Sequence, residues 1–138
     1  MREILFRGKR IDNGEWIEGY YVKTVDYRTD SAVHLIIELP SAFYPRGEIA
    51  REYEINSSTI GQFTGLTDKN GRKIFEGDIC RMKADRLKGY GAIIFMGSAF
   101  VLCDKTHKQT RYYPLYPDGQ FTVVGNIHDN PEMLEVTK

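Results

Sequence analysis

Two cysteines and three histidines are the side chains of this 138-residue chain best suited to hold a metal or attack an electrophile. Cys80, Cys103, His107 and His128 together offer two thiolates and two imidazoles, the donor set of a tetrahedral zinc site. Structural zinc sites draw their ligands in close pairs, because a tight turn then sets two donors before the metal arrives. Only Cys103-x3-His107 has near spacing. Both cysteines fall in strand-like runs, where a thiol acts as a small buried hydrophobe. A Cys–His nucleophile would need a base beside the sulfur in an accessible, electropositive setting. Nothing in the spacing brings His34, His107 or His128 to either thiol. The residues therefore assign no catalytic group, no metal ligand and no cofactor site.

The carboxylates Asp68, Glu76, Asp78 and Asp129 stand beside glycine or asparagine turns. There an acidic side chain accepts hydrogen bonds from backbone N–H groups, which is a geometric task and not a catalytic one. Gln62 and Thr64, polar groups on a strand, face either solvent or a ligand. Lys69-Asn70-Gly71-Arg72 is too short for a phosphate cradle and lacks the helix that follows such loops, so it reads as a hairpin turn.

Charge is unevenly distributed. Between Arg81 and Arg111 lie Arg81, Lys83, Arg86, Lys88, Lys105, Lys108 and Arg111 against Asp85 and Asp104, a net of +5 that leaves −5 on the rest of a neutral chain. Tyr90, Tyr112 and Tyr113 are close by in sequence. Small barrels hold single strands by combining cations along the backbone with aromatic rings that stack on bases. Arg81, Lys83, Lys105, Lys108, Arg111, Tyr112 and Tyr113 are thus candidate nucleic-acid contacts, weighed against a plain reading as two solvated loops. A second candidate surface is Trp16, Tyr20 and Tyr21, since aromatic residues are enriched in interface cores. The overall neutrality argues against general coating of duplex phosphate, which demands a cationic excess.

The elements that position these residues are short. Nine tyrosines and seven phenylalanines tilt the chain toward pleated structure. Strands are predicted over 2–7 and 16–25, joined through Asp12-Asn13-Gly14, then over 33–39, stopped by Pro40, which cannot donate to a ladder. Residues 41–48 read as a surface loop and 52–55 as a short strand. In the second half, 62–66 and 72–75 flank Asn70-Gly71. Strand 78–83, a polar loop over 84–90, and strands 91–96 and 99–104 follow. Strands 111–116 and 121–125 pair across Pro117-Asp118-Gly119. Asn130-Pro131-Glu132 opens a short helix: a capping oxygen, a proline whose missing N–H is harmless, and an acid favoured by the dipole.

The predicted fold is mainly β: a C-terminal SH3-like small barrel over 59–138, an N-terminal β-hairpin and sheet extension over 1–58, and a short C-terminal helix. Closing the sheet would hide strand edges that otherwise invite aggregation. No apolar run approaches the ~18 residues of a membrane span. The opening MREILFRGKR has too few apolar residues for a secretory signal. Two cysteines without a spaced framework fit a reducing interior.

Arg2-Glu3-Ile4 with Phe6-Arg7, the block from Gly61 to Gly71, the run Ile74-Phe75-Glu76-Gly77-Asp78-Ile79 and the end Gly125-Asn126-Ile127-His128-Asp129-Asn130-Pro131-Glu132 together resemble the YopX family of phage and prophage proteins. The blocks occur in the right order. The resemblance implies a phage-encoded protein working in the bacterial host cytoplasm, with an SH3-type C-terminal part. It implies no activity and assigns no catalytic residue.

Many aromatic residues without a reactive constellation point to a non-enzymatic interaction module that self-associates or binds a phage or host protein. The alternative is a small barrel that binds single-stranded nucleic acid through 81–113. A hydrolase or nucleotide-modifying enzyme would require titratable groups converging in a pocket.

Overall fold

The computed structural model describes residues 3–38, 51–115 and 120–134. The expected start at Arg2, the Pro40 stop, the loop over 41–48 and the Pro117-Asp118-Gly119 turn lie outside these residues. The chain divides into two compact units, Met1–Gln62 and Phe63–Lys138. Both are built from antiparallel strands, and the fold is mainly β.

In the first unit, β1 (Phe6–Lys9), β2 (Trp16–Asp26), β3 (Ser31–Glu38) and β4 (Glu52–Glu54) lie in the order β4-β3-β2-β1. β1 and β2 are joined through Asp12-Asn13-Gly14 as expected, but not by a type I′ turn, which needs positive φ at both central residues: Asn13 has none. Gly14 sits at φ 72, a left-handed conformation that glycine adopts without steric cost, and Asn13 Oδ1 accepts the Glu15 N–H at 2.9 Å. β2 faces Phe6 to Lys9 only from Gly19 back to Trp16, and it pairs with β3 along its whole outer half from Gly19 to Asp26. β4 covers β3 only at Leu35, Ile36 and Ile37. The outer part of this β2–β3 hairpin is therefore a two-stranded arm. Strand alternation buries Ile36 while leaving Tyr20 and Val22 on the opposite, exposed face.

β5 (Gly61–Thr67) pairs with β1 at its start and runs on into the second unit, where it pairs with β6 (Lys73–Phe75). Five more strands follow: β7 (Asp78–Ala84), β8 (Leu87–Met96), β9 (Ala99–Asp104), β10 (Arg111–Pro114) and β11 (Phe121–Asn126), in the order β10-β9-β8-β7-β11. Ile74, Cys80, Met82, Ile93, Leu102, Phe121 and Val123 form the buried cluster, flanked by Ala84, Phe100, Tyr113 and Leu115. Each fully buried aliphatic or aromatic side chain in it contributes about 1.5–3 kcal/mol by leaving water.

Three expectations meet a different structure. The last two strands do not pair with each other: β10 lies on β9 and β11 on β7, at opposite edges, so the sheet is not closed among the described residues. β10 runs only to Pro114, whose ring nitrogen has no hydrogen to offer a further partner. The polar loop expected over 84–90 is a tight hairpin instead. Ala84 faces Leu87 across Asp85 and Arg86, with Asp85 at φ 50, a left-handed conformation that aspartate tolerates better than most side chains. The C-terminal helix is one 3-10 turn over Pro131–Leu134 among the described residues. Asn130 does not cap it forward; its Oδ1 turns back to accept the Asn126 N–H at 3.2 Å.

Candidate functional site

The thiols are placed apart. Cys80 faces the buried cluster of the second unit and is fully inaccessible. Cys103 lies opposite Ala92, one residue out of step with the Gly91–Cys80 pair, so the two sulfurs leave opposite faces of the sheet. Neither forms a disulfide. His107 turns to Asp104, its Nε2 3.6 Å from Oδ2. Among the described residues no three His, Cys, Asp or Glu side chains are grouped to hold a metal ion.

The acids near turns are fastened to backbone. Asp68 Oδ1 accepts N–H groups of Asn70 and Arg72, both at 2.9 Å, and Oδ2 accepts that of Val123 at 3.0 Å. Burial pushes the Asp68 carboxyl up, but the Val123, Arg72 and Asn70 donors outweigh it and hold the group below its ordinary value. Asp78, fully buried, accepts the Phe75 N–H at 2.7 Å across the Gly77 bend. Asp129 accepts from Asn126 Nδ2 at 3.0 Å, while Asn126 Oδ1 takes the N–H groups of His128 and Asp129. Glu76 is half-buried beside the same bend. Thr64 is buried too, its hydroxyl donating to the Ile74 carbonyl at 2.8 Å, whereas Gln62 is half-buried. In the sequence Asp104 figures only as a charge, because no turn glycine marks it as an anchor. It is 1% exposed and accepts from Tyr90 N at 3.2 Å and Thr106 N at 2.8 Å. Burial raises its carboxyl, and the Thr106 hydroxyl and these N–H donors bring it below the usual range.

The basic segment converges more than its spacing suggests. Arg81 faces Tyr90 and Lys83 faces Lys88 across the β7–β8 pair. Directly opposed residues share a face, and so do residues two apart, so Arg81, Lys83, Lys88 and Tyr90 all leave one side of the sheet. Two lysines in direct opposition destabilise a strand pair. Arg81, Lys83 and Lys88 are exposed and border an open concavity of about 360 Å³ shared with Tyr90, Asp104, Thr106 and His107. Because β8 is antiparallel to both β7 and β9, the β7–β8 turn and the 105–110 segment lie at the same end of the sheet, with Arg111 facing Asp104 there. Lys105, Lys108 and Arg111 are exposed at that end. The two tyrosines of β10 part company. Tyr112 is 48% exposed, while Tyr113 packs on the core, its ring where a Gly89 side chain would stand.

The N-terminal aromatics are also divided. Trp16 is half-buried, with the Arg7 guanidinium 4.6 Å and the Lys9 ammonium 5.4 Å from its ring centroid. Tyr20 is 48% exposed on the same face of β2. Tyr21 points the other way, stacked on His34 with its hydroxyl 2.5 Å from Nδ1 and its ring 5.4 Å from Phe6.

The model of the YopX protein family matches residues 5–135. The chain belongs to the YopX family. A crystal structure of protein EF1440 from Enterococcus faecalis is similar to this YopX chain, with 29% sequence identity and a TM-score of 0.54 over 98% of this chain and 100% of that one. No curated protein matches it. The later YopX blocks visible in the sequence place side-chain acceptors at turns: Asp68 and Asp78 take backbone N–H groups, Asn126 Oδ1 takes those of His128 and Asp129, and Asp129 holds the Asn126 amide. No helix among the described residues of this YopX chain is long and apolar enough to cross a membrane.

Proposed function

We propose that this YopX chain is a non-enzymatic interaction module that self-associates through the open edge of β2. The observation that carries the reading is the arm: from Tyr20 to Asp26, β2 has β3 on one side and no strand on the other among the described residues. Tyr20, Val22 and Val25 on this stretch are 48%, 37% and 46% exposed. An unpaired strand edge is a template for another strand, and natural sheets keep such edges short, charged or covered. This one is seven residues long and carries a single lysine, Lys23, before Asp26.

The occupant we favour is a second copy. An antiparallel pair of identical strands is self-complementary about a two-fold axis, the commonest oligomer symmetry. The axis must fall on a residue, so that opposed side chains share a face. Centred on Lys23, it would oppose two like charges. Centred on Val22, it sets Val22 against its mate, Tyr21 against Lys23, and Tyr20 against Thr24, and it ends where β1 takes over the edge at Gly19. Five residues is an ordinary strand length. The family resemblance supports a phage-encoded protein acting in the bacterial cytoplasm.

Sedimentation velocity from micromolar to millimolar protein tests the reading. Wild type should pass from monomer to dimer, and Val22→Glu, which sets two carboxylates face to face, should remain monomeric with an unchanged circular dichroism spectrum. A wild-type monomer at every concentration would refute self-association, and a Val22→Glu dimer would refute this edge.

A further inference from the structure

Beyond that reading, we propose that the β7–β8 turn end of the second unit binds single-stranded nucleic acid, with Arg81, Lys83 and Lys88 on successive phosphates and Tyr112 beneath a base. The cations point to an anion. Arg81, Lys83 and Lys88 make no ion pair with a described residue, and the sheet sets Lys83 directly against Lys88. A pair that repels itself is relieved by a bound negative charge.

The arrangement favours a chain of phosphates over a single anion. Arg81 and Lys83 are two residues apart on one strand face, about 6.7 Å along β7. That is close to the separation of neighbouring phosphates in an extended single strand. The concavity they border is open and does not enclose a small ligand. Lys105, Lys108 and Arg111 continue the positive charge around the same end of the sheet.

An aromatic platform shares the face. Tyr112 opposes Cys103, Cys103 opposes Ala92, and Ala92 opposes Ile79, which lies two residues before Arg81. Tyr112 is therefore on the same side as Arg81, three strand spacings across and two residues along, about 16 Å away. Tyrosine stacks on any base, so this pairing of cations and ring reads the backbone and not the sequence. Duplex is disfavoured because the chain as a whole is neutral.

The test is fluorescence anisotropy of a labelled mixed-sequence single-stranded DNA oligonucleotide, with the duplex of the same sequence and polyglutamate as competitors. Three neutralised phosphates give a salt slope near −2, so affinity should fall about 20-fold between 50 and 200 mM salt. Tyr112→Ala should weaken binding about 5- to 150-fold. Lys83→Glu is the discriminating variant. It replaces a repelling cross-strand pair with an attracting one, so it should raise thermal stability while lowering affinity and flattening the salt slope. A purely structural lysine would not move binding against stability in this way. Arg28→Glu, on the arm of the first unit, should bind as wild type. No binding at 50 mM salt, a flat slope, or undiminished binding by Lys83→Glu would overturn the proposal. So would equal competition by duplex, or by polyglutamate, which would assign the surface to an acidic protein.

Discussion

Replacing Asp68 isolates what a YopX-block acid does in this fold. Its carboxylate joins the Asn70-Gly71 turn to β11, accepting Asn70 and Arg72 on one oxygen and Val123 on the other. Hydrogen bonds to a charged acceptor contribute about 1.5–3 kcal/mol each, and a buried donor left without a partner costs about 1–3 kcal/mol. Asp68→Ala removes all three bonds and strands the Val123 N–H, which lies in the buried cluster. The three contributions share one carboxylate and do not simply add, so the expected loss is about 3–5 kcal/mol. Asp68→Asn keeps one oxygen for the turn but presents an NH2 group to the Val123 N–H, for a loss of about 1.5–3 kcal/mol. Against the ~5–15 kcal/mol of an ordinary domain, both losses are large.

Urea unfolding followed by circular dichroism reads them. With a slope of about 1–3 kcal/mol per molar, the midpoint of Asp68→Ala should fall by one to several molar at unchanged slope. Acid adds a second reading. The Asp68 carboxyl is held below its ordinary value, so its contribution is complete above the unfolded pKa of about 4. It is lost as pH falls through the lower folded value. The gap between wild type and Asp68→Asn should therefore be constant near neutrality and close below about pH 4. If Asp68→Ala unfolds within about 0.5 kcal/mol of wild type, a shift ordinary for surface sites, the turn-fastening account is wrong. The acid would then need a role in binding or chemistry.

Asp104→Asn should speed hydrogen exchange at the Tyr90 and Thr106 amides, both of which its carboxylate accepts, and exchange at wild-type rates would contradict that anchoring. Gly91→Ala should destabilise by about 3 kcal/mol, the upper end for overpacking. Its new Cβ would meet the Cys103 carbonyl oxygen at 1.9 Å, and an unchanged melting temperature would refute the close approach of β8 to β9. Trp16→Ala removes the ring that receives Arg7 and Lys9 and should cost about 1–2 kcal/mol at this half-buried position. A thermal melt by circular dichroism without a shift would show those contacts to be idle.

The sequence alone carried the strands and most of their turns, because those depend on a few adjacent residues. The turns at Gly14, Gly71 and Gly77 each have a left-handed glycine and a nearby polar side chain, Asn13, Asp68 and Asp78, that accepts backbone N–H groups, and each forms where it was expected. The 84–90 stretch misled because the Asp85-Arg86 turn has no glycine and its strand ends are polar. Closure of the sheet, the partners of β10 and β11, and the grouping of the basic residues were set by tertiary structure. Each depends on which distant strands lie side by side, and alternation along one strand says nothing of its neighbour. Lys83 meets Lys88 through cross-strand register, and the 105–111 segment joins them because three antiparallel strands return the chain to one end. Burial likewise separated Tyr112 from its neighbour Tyr113, since one-residue alternation sends adjacent side chains to opposite faces, one exposed and one packed.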